Sequence, residues 1–183
     1  MTVTALDART ALIVIDLQAG TLGGPTAHPA EEIVGRAAQL LAAFRERDLL
    51  VVLANVTGTP AGRTEYGEGA REFPAEFSAL HPGLDQQPGD VTVTRATWSA
   101  FAGTDLGQVL VERGITQVVL AGIATSFGVE STARDAYDRG LSATIAVDAI
   151  TDRSIDAHDA TVARVFPALG QVGSTAEILA LLG

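Results

Sequence analysis

Residues 117–148 read QVVLAGIATSFGVESTARDAYDRGLSATIAVD. The run opens on Gln117–Gly122, short, apolar and β-branched, the pattern of a strand buried on both faces. A helix is expected over Ser126–Arg139, stopped by Gly140. Leu141–Asp148 then returns as a second strand. Strand, helix and strand joined at crossover length predict a parallel pair. The same alternation extends in both directions. Upstream, strands are expected at Ala11–Leu17 (ALIVIDL), Leu49–Val56 and Asp90–Arg95. Helices are expected from Pro29 to Asp48 and over Thr104–Arg113, where Thr104 or Asp105 can cap the first turn. Downstream, Ser154–Phe166 reads as a helix stopped by Pro167, Gln171–Gly173 as a short strand and Thr175–Leu182 as a terminal helix. The prediction is an α/β fold, a doubly wound three-layer sandwich with a mostly parallel sheet of about six strands. No linker, repeat or low-complexity arm interrupts the pattern, so residues 1–183 read as one domain. Gly58, Pro60, Gly62, Gly67 and Gly69 mark one long irregular region, a place where loops carry function. A short helix is expected within residues 70–80.

Composition narrows the chemistry. The chain of 183 residues is 47% hydrophobic and 19% charged, which excludes a mainly disordered protein. Its net charge of −10 disfavours nucleic acid and anionic membranes as partners, because phosphate binding needs a positive footprint. There are 0 cysteines, so disulfides, iron–sulfur ligation and every thiolate mechanism are excluded. The histidines, His28, His81 and His158, stand at no metal-ligand spacing, and HExxH is missing. GxGxxG, GxxxxGKS and GxSxG are missing too. Neither a cofactor nor a metal is expected. The opening MTVTALDARTALIVIDL has no signal-like pattern, and no run reaches the roughly 18 apolar residues of a membrane span. A cytoplasmic protein is expected.

Open α/β sheets hold ligands outside the carboxyl ends of their strands. Asp16 ends the first strand inside an apolar run, where a carboxylate is partly desolvated and its pKa rises. It reads as a general acid or base; the alternative is a carboxylate that caps local amides. Arg95 ends the third strand. Its guanidinium does not titrate, so it can hold Asp16 ionised or clamp a substrate carboxylate, or form an ion pair without chemistry. Thr125 or Ser126 is the expected cap of the helix after the fourth strand, with first-turn amides forming an anion site. Gly128 in that turn makes room for a ligand or is merely tolerated. Trp98, Phe101 and Tyr66 are candidates to line the pocket, Phe127 to line it or pack the core. Arg63 is a candidate contact for an anionic substrate. Gln18 and Ala124 complete the candidate substrate-binding residues.

The runs ALIVIDLQ (11–18), TRATWSAFAGTDL (94–106), LAGIATSFGVESTARDAYDRG (120–140) and VDAITDRS (147–154) resemble the isochorismatase-like hydrolase superfamily. The likeness covers nearly the whole chain, in order and at matching spacing. It implies a doubly wound sheet, a homo-oligomer (dimer or larger) and a small-molecule substrate. It also implies a non-proline cis peptide within Ile123–Ala124–Thr125. Most members are amidases with an Asp–Lys–Cys triad. The aspartate matches Asp16, the lysine matches Arg95 and the cysteine matches Gly128. The metal-binding histidines of the nicotinamidase branch have no match. A glycine offers no nucleophile, so covalent acyl transfer is not expected. True isochorismatases use water, and some carry glycine at this position. They usually retain the lysine, however, and have a histidine where this chain has Ser126. The expectation is a thiol-independent hydrolase of a small anionic molecule. Asp16 moves the proton, Arg95 is the electrostatic clamp and water is the nucleophile. The alternatives are a small-molecule-binding pseudoenzyme and an assembly partner using the acidic surface.

Overall fold

A computed structural model describes residues 3–183 of the chain. Met1 and Thr2, which open the stretch inspected for a signal, lie outside the described residues. The sheet has six strands: β1 (Thr10–Ile15), β2 (Leu50–Val56), β3 (Val91–Arg95), β4 (Gln117–Ile123), β5 (Ser142–Thr151) and β6 (Gln171–Gly173). Their spatial order is β6-β5-β4-β1-β2-β3, and every neighbouring pair is parallel. The long helices are α1 (Ala30–Glu46), α2 (Leu106–Glu112), α3 (Glu130–Asp138), α4 (Ile155–Arg164) and α5 (Thr175–Leu182).

The layers follow from the two-residue period of the strands. All of β1 is buried. Ala11, Ile13 and Ile15 face one side, packing in a cluster with Leu106 and Leu110 of α2 and Ala133 and Ala136 of α3. Leu12 and Val14 face the other, in a cluster with Ile33, Ala37, Leu40, Leu41 and Phe44 of α1 and Ile178 of α5. A sheet covered on both faces needs apolar residues at every position, which is why ALIVI shows no polar alternation. From β1 the chain builds outward through β2 and β3, then crosses to the opposite side of β1 for β4. The order therefore reverses between β1 and β4, and such a reversal opens a crevice at the strand carboxyl ends.

Four details differ from the sequence reading. Strand β5 runs to Thr151, not Asp148, and its register against β4 shifts between Leu120 and Gly122. The helix expected from Ser126 begins instead as a wide turn over Thr125–Val129, and α3 proper starts at Glu130. Pro167 does not merely stop a helix. It sits in the first turn of a further one-turn helix, Phe166–Leu169, where its missing N–H costs nothing. The irregular region after β2 is an exposed arm with two small antiparallel ladders, Gly58–Thr59 with Arg71–Glu72 and Arg63–Thr64 with Gly67–Glu68. The expected short helix near residue 75 is one turn, Ala75–Ser78.

Gly122 is required by contact as well as by its φ of 126°. A Cβ there would lie 2.0 Å from the Ile15 carbonyl oxygen, so β4 meets the end of β1 only without a side chain. The next residue along β1 is Asp16, itself at φ 52°.

Candidate active site

Asp16 turns sharply out of β1 into the crevice. Its amide donates to the Ala54 carbonyl at 2.9 Å, and its own carbonyl accepts from the Thr21 hydroxyl. Its carboxylate is gripped by Arg95 at the end of β3, with Nη1 2.6 Å from Oδ1 and Nη2 2.9 Å from Oδ2. The side chains are only 1% (Arg95) and 9% (Asp16) exposed. Burial drives the Asp16 carboxyl above its ordinary value, against the hydrogen bonds and the charge of Arg95. Protonating Asp16 would leave a buried guanidinium without its partner, which favours the ionic pair against the effect of burial.

Arg95 has little left for a substrate. Nη2 also donates to the Trp98 carbonyl at 2.8 Å, and Nε donates to the Ser99 carbonyl at 3.2 Å. Of its five N–H groups four are committed. The expected role as a clamp on substrate gives way to one as the brace of Asp16.

The carboxylate opens on a cavity of about 210 Å³. Gly128, Ile123, Ala124 and Phe127 line it from the β4 side, Trp98 and Thr97 from the loop after β3. A Cβ built on Gly128 would lie 3.2 Å from Asp16 Oδ2 and 3.0 Å from Ile15 Cγ2, so the glycine leaves the carboxylate open to the cavity. The Ile123–Ala124 peptide is cis, as the resemblance implies.

Several sequence candidates lie away from this wall. Gln18 is fully buried, its Oε1 accepting from the Val56 amide at 2.8 Å and its Nε2 donating to the carbonyls of Val56 and Phe77. It ties the start of the arm to the end of β1. Replacing it by leucine strands these groups, and we expect Gln18→Leu to lose about 1–3 kcal/mol in urea unfolding with ligand affinity unchanged. Phe101 is core, with Arg139 stacked 4.8 Å from its ring centroid. Arg63 lies in an exposed ladder of the arm and does not line this cavity. Tyr66 is on the arm, outside this cavity.

Neither Thr125 nor Ser126 is a cap: the wide turn has Ala124 at its N-cap position and α3 has Val129. The Thr125 hydroxyl is buried against His158 Nδ1 at 2.9 Å. The Ser126 amide and hydroxyl both donate to Asp152 Oδ2, at 2.7 and 2.8 Å. A buried carboxylate of the chain thus occupies part of the expected anion site, and the amides of Phe127 and Val129 bond to the Ala124 carbonyl.

Asp152 and Arg153, just past β5, escaped the sequence reading. Arg153 lines the cavity. Its Nη1 and Nη2 donate to the carbonyls of Pro25 and Thr21 at 3.1 and 2.7 Å. Among the described residues it has no carboxylate partner, so it is a cation with charge to offer.

Behind this wall His158 is buried edge-to-face with His28, ring centroids 4.6 Å apart. Burial and His28 hold His158 below its ordinary 6.5, against Asp159 and Asp152, which pull it up. The folded state therefore favours neutral His158, and on acidification the unfolded chain takes up the proton first. This stability is present above 6.5 and lost as pH falls through the lower folded value. Melting temperature should fall over that window, and His158→Gln should flatten the fall.

Among the described residues no group of three or more His, Cys, Asp or Glu side chains could hold a metal ion, and no helix is long and apolar enough to cross a membrane. The Isochorismatase domain model matches residues 10–177. The chain belongs to the isochorismatase family. The isochorismatase family protein YecD of Escherichia coli O157:H7 is 40% identical over 180 residues, 93% of this chain and 94% of that protein. The maleamate amidohydrolase of Pseudomonas putida is 31% identical over 173 residues, 88% of this chain and 81% of that one. An isochorismatase family structure from Burkholderia thailandensis superposes with a TM-score of 0.92 at 39% identity, covering 97% of each chain. This isochorismatase-family hydrolase thus has amidohydrolases among its relatives.

Proposed function

We propose that the chain hydrolyses a small anionic molecule without a thiol, with the Asp16 carboxylate as the base that activates water. The observation that carries this reading is the open approach from the cavity, past Gly128, to a buried carboxylate paired with Arg95. A carboxylate whose pKa is raised is a stronger base than a free one, and the untitrating guanidinium favours its ionised form. Water gives a proton to Asp16 as its oxygen bonds to the electrophilic carbon of the substrate. The bond to the leaving group breaks, and the proton passes to that group. Gly128 stands where the resemblance places the amidase cysteine, so no acyl-enzyme forms. Arg153 replaces Arg95 and Arg63 as the cation that meets the anionic group of the substrate.

The reading is tested by screening carboxylate-bearing amides, esters and vinyl ethers for turnover with the wild type and Asp16→Asn. Turnover that survives in Asp16→Asn refutes the base assignment. A binding protein without turnover is the second reading, favoured by the commitment of Arg95 to Asp16 and the loop carbonyls. Calorimetric binding of small carboxylic acids with no product from any of the three ester, amide or ether classes supports it instead.

A further inference from the structure

A second cavity, of about 540 Å³, adjoins the first. The two share Thr59, Pro60, Trp98 and Phe127 as walls. Trp98 and Phe127 meet edge-to-face, centroids 4.9 Å apart and planes at 72°, so a paired aromatic wall separates the two cavities and lines both. The arm closes the outer side, with Tyr66 and Arg71. Tyr66 is 91% exposed, Trp98 60% and Phe127 40%. Three large rings on one cavity are unlike the scattered single apolar residues of an ordinary surface. The aromatic wall is also tied to the proposed base: Arg95, which holds Asp16, donates to the Trp98 carbonyl, and Phe127 precedes Gly128. The inner cavity falls below the roughly 300–1,000 Å³ usual for ligands of drug size, and the outer one lies within that range.

We infer that the outer cavity is a binding subsite for a flat apolar tail, so that the substrate class is an acid derivative with an anionic head and a ring-bearing tail. This rests on the inner-pocket reading above for the head alone. The occupant follows from continuity: a tail leaving the inner cavity across the shared wall meets Trp98 and then, on the arm, Tyr66. Rings stack on aromatic side chains with favourable offset or edge geometry.

Trp98 is the only tryptophan, so its fluorescence reports this wall directly. The probes are benzoate, 5-phenylpentanoate and the neutral 5-phenylpentanol. We expect 5-phenylpentanoate to bind at least ~10-fold more tightly than benzoate, as the burial of several methylenes allows. Tyr66→Ala should remove most of that gain and leave benzoate unchanged; the exposure of Tyr66 makes unfolding no part of the result. Equal affinity for the two acids, or a gain indifferent to Tyr66→Ala, overturns the subsite and leaves the inner reading standing. Tyr66-dependent binding of the alcohol with none of benzoate supports the subsite and refutes the anionic head. No response of Trp98 to any probe overturns both. Sedimentation of Tyr66→Ala completes the test: a loss of oligomer with unchanged acid affinities makes the face a contact between copies and overturns the subsite.

Discussion

Arg95→Met should lower the unfolding free energy by about 3–5 kcal/mol, the usual consequence of removing one partner of a buried ion pair. The Asp16–Arg95 pair is shielded from water on nearly all sides and bidentate. Methionine fills similar volume, so the loss is electrostatic and not a cavity effect. It also strands the carbonyls of Trp98 and Ser99, which Arg95 now serves. The double variant Asp16→Leu, Arg95→Met should recover the part of the loss owed to the unpaired carboxylate, because apolar replacement of a whole buried pair is often neutral or better. The two carbonyls stay without their donor. The two substitutions are in contact and will not add. Urea midpoints of the wild type, both single variants and the double variant decide it. A double variant as unstable as the sum of its parts contradicts this account, as does a single Arg95→Met with an unchanged midpoint. Arg95 pulls the Asp16 carboxyl down against burial, so in Arg95→Met the carboxyl rises further, and the acid limb of any remaining activity moves to higher pH.

Much of this pair was readable beforehand. An Asp inside ALIVIDL and an Arg at the end of VTVTR fall at strand carboxyl ends, and the parallel alternation puts those ends together. The sheet itself was readable because burial on both faces leaves unbroken β-branched runs, such as VVL in β4. What escaped the sequence depends on partners far along the chain. Ser126 has the residue type of a helix cap, yet its hydroxyl goes to Asp152, 26 positions away. Gln18 reads as polar and therefore ligand-facing, but Val56, 38 positions away, uses both ends of its amide. Arg153 is hidden in the sequence because the fifth strand reads as ending at Asp148. The strand instead continues through AIT to Thr151, so DR falls at its carboxyl end, beside the crevice. Following the apolar residues past Asp148 was the signal that would have found it.

Asp16→Asn should reduce turnover about 10²–10⁴-fold, the range contributed by a positioned general base. The amide keeps the shape of the carboxylate but accepts no proton from water. It also leaves the Arg95 guanidinium without its counter-charge, so the variant should lose stability as well. Turnover is compared per folded molecule, below the unfolding transition of the variant. KM should change little, because Arg153 and the aromatic wall are untouched, and the loss should appear in kcat. The wild-type profile carries a second signature. The base works only when ionised, so the rate falls as pH drops through the Asp16 pKa, which lies above the ordinary 3.8. That limb belongs to Asp16 and should vanish in the variant's residual activity. Gly128→Ala supplies the control on geometry. Its methyl would stand 3.2 Å from Oδ2 and 3.0 Å from Ile15 Cγ2, close enough to crowd the approach of water while asking the neighbours to give only a few tenths of an ångström. It should therefore lower kcat with a small change in melting temperature and leave the acid limb in place. If Gly128→Ala is fully active while Asp16→Asn is not, water reaches the carboxylate by another route, and the open approach at Gly128 has no catalytic role.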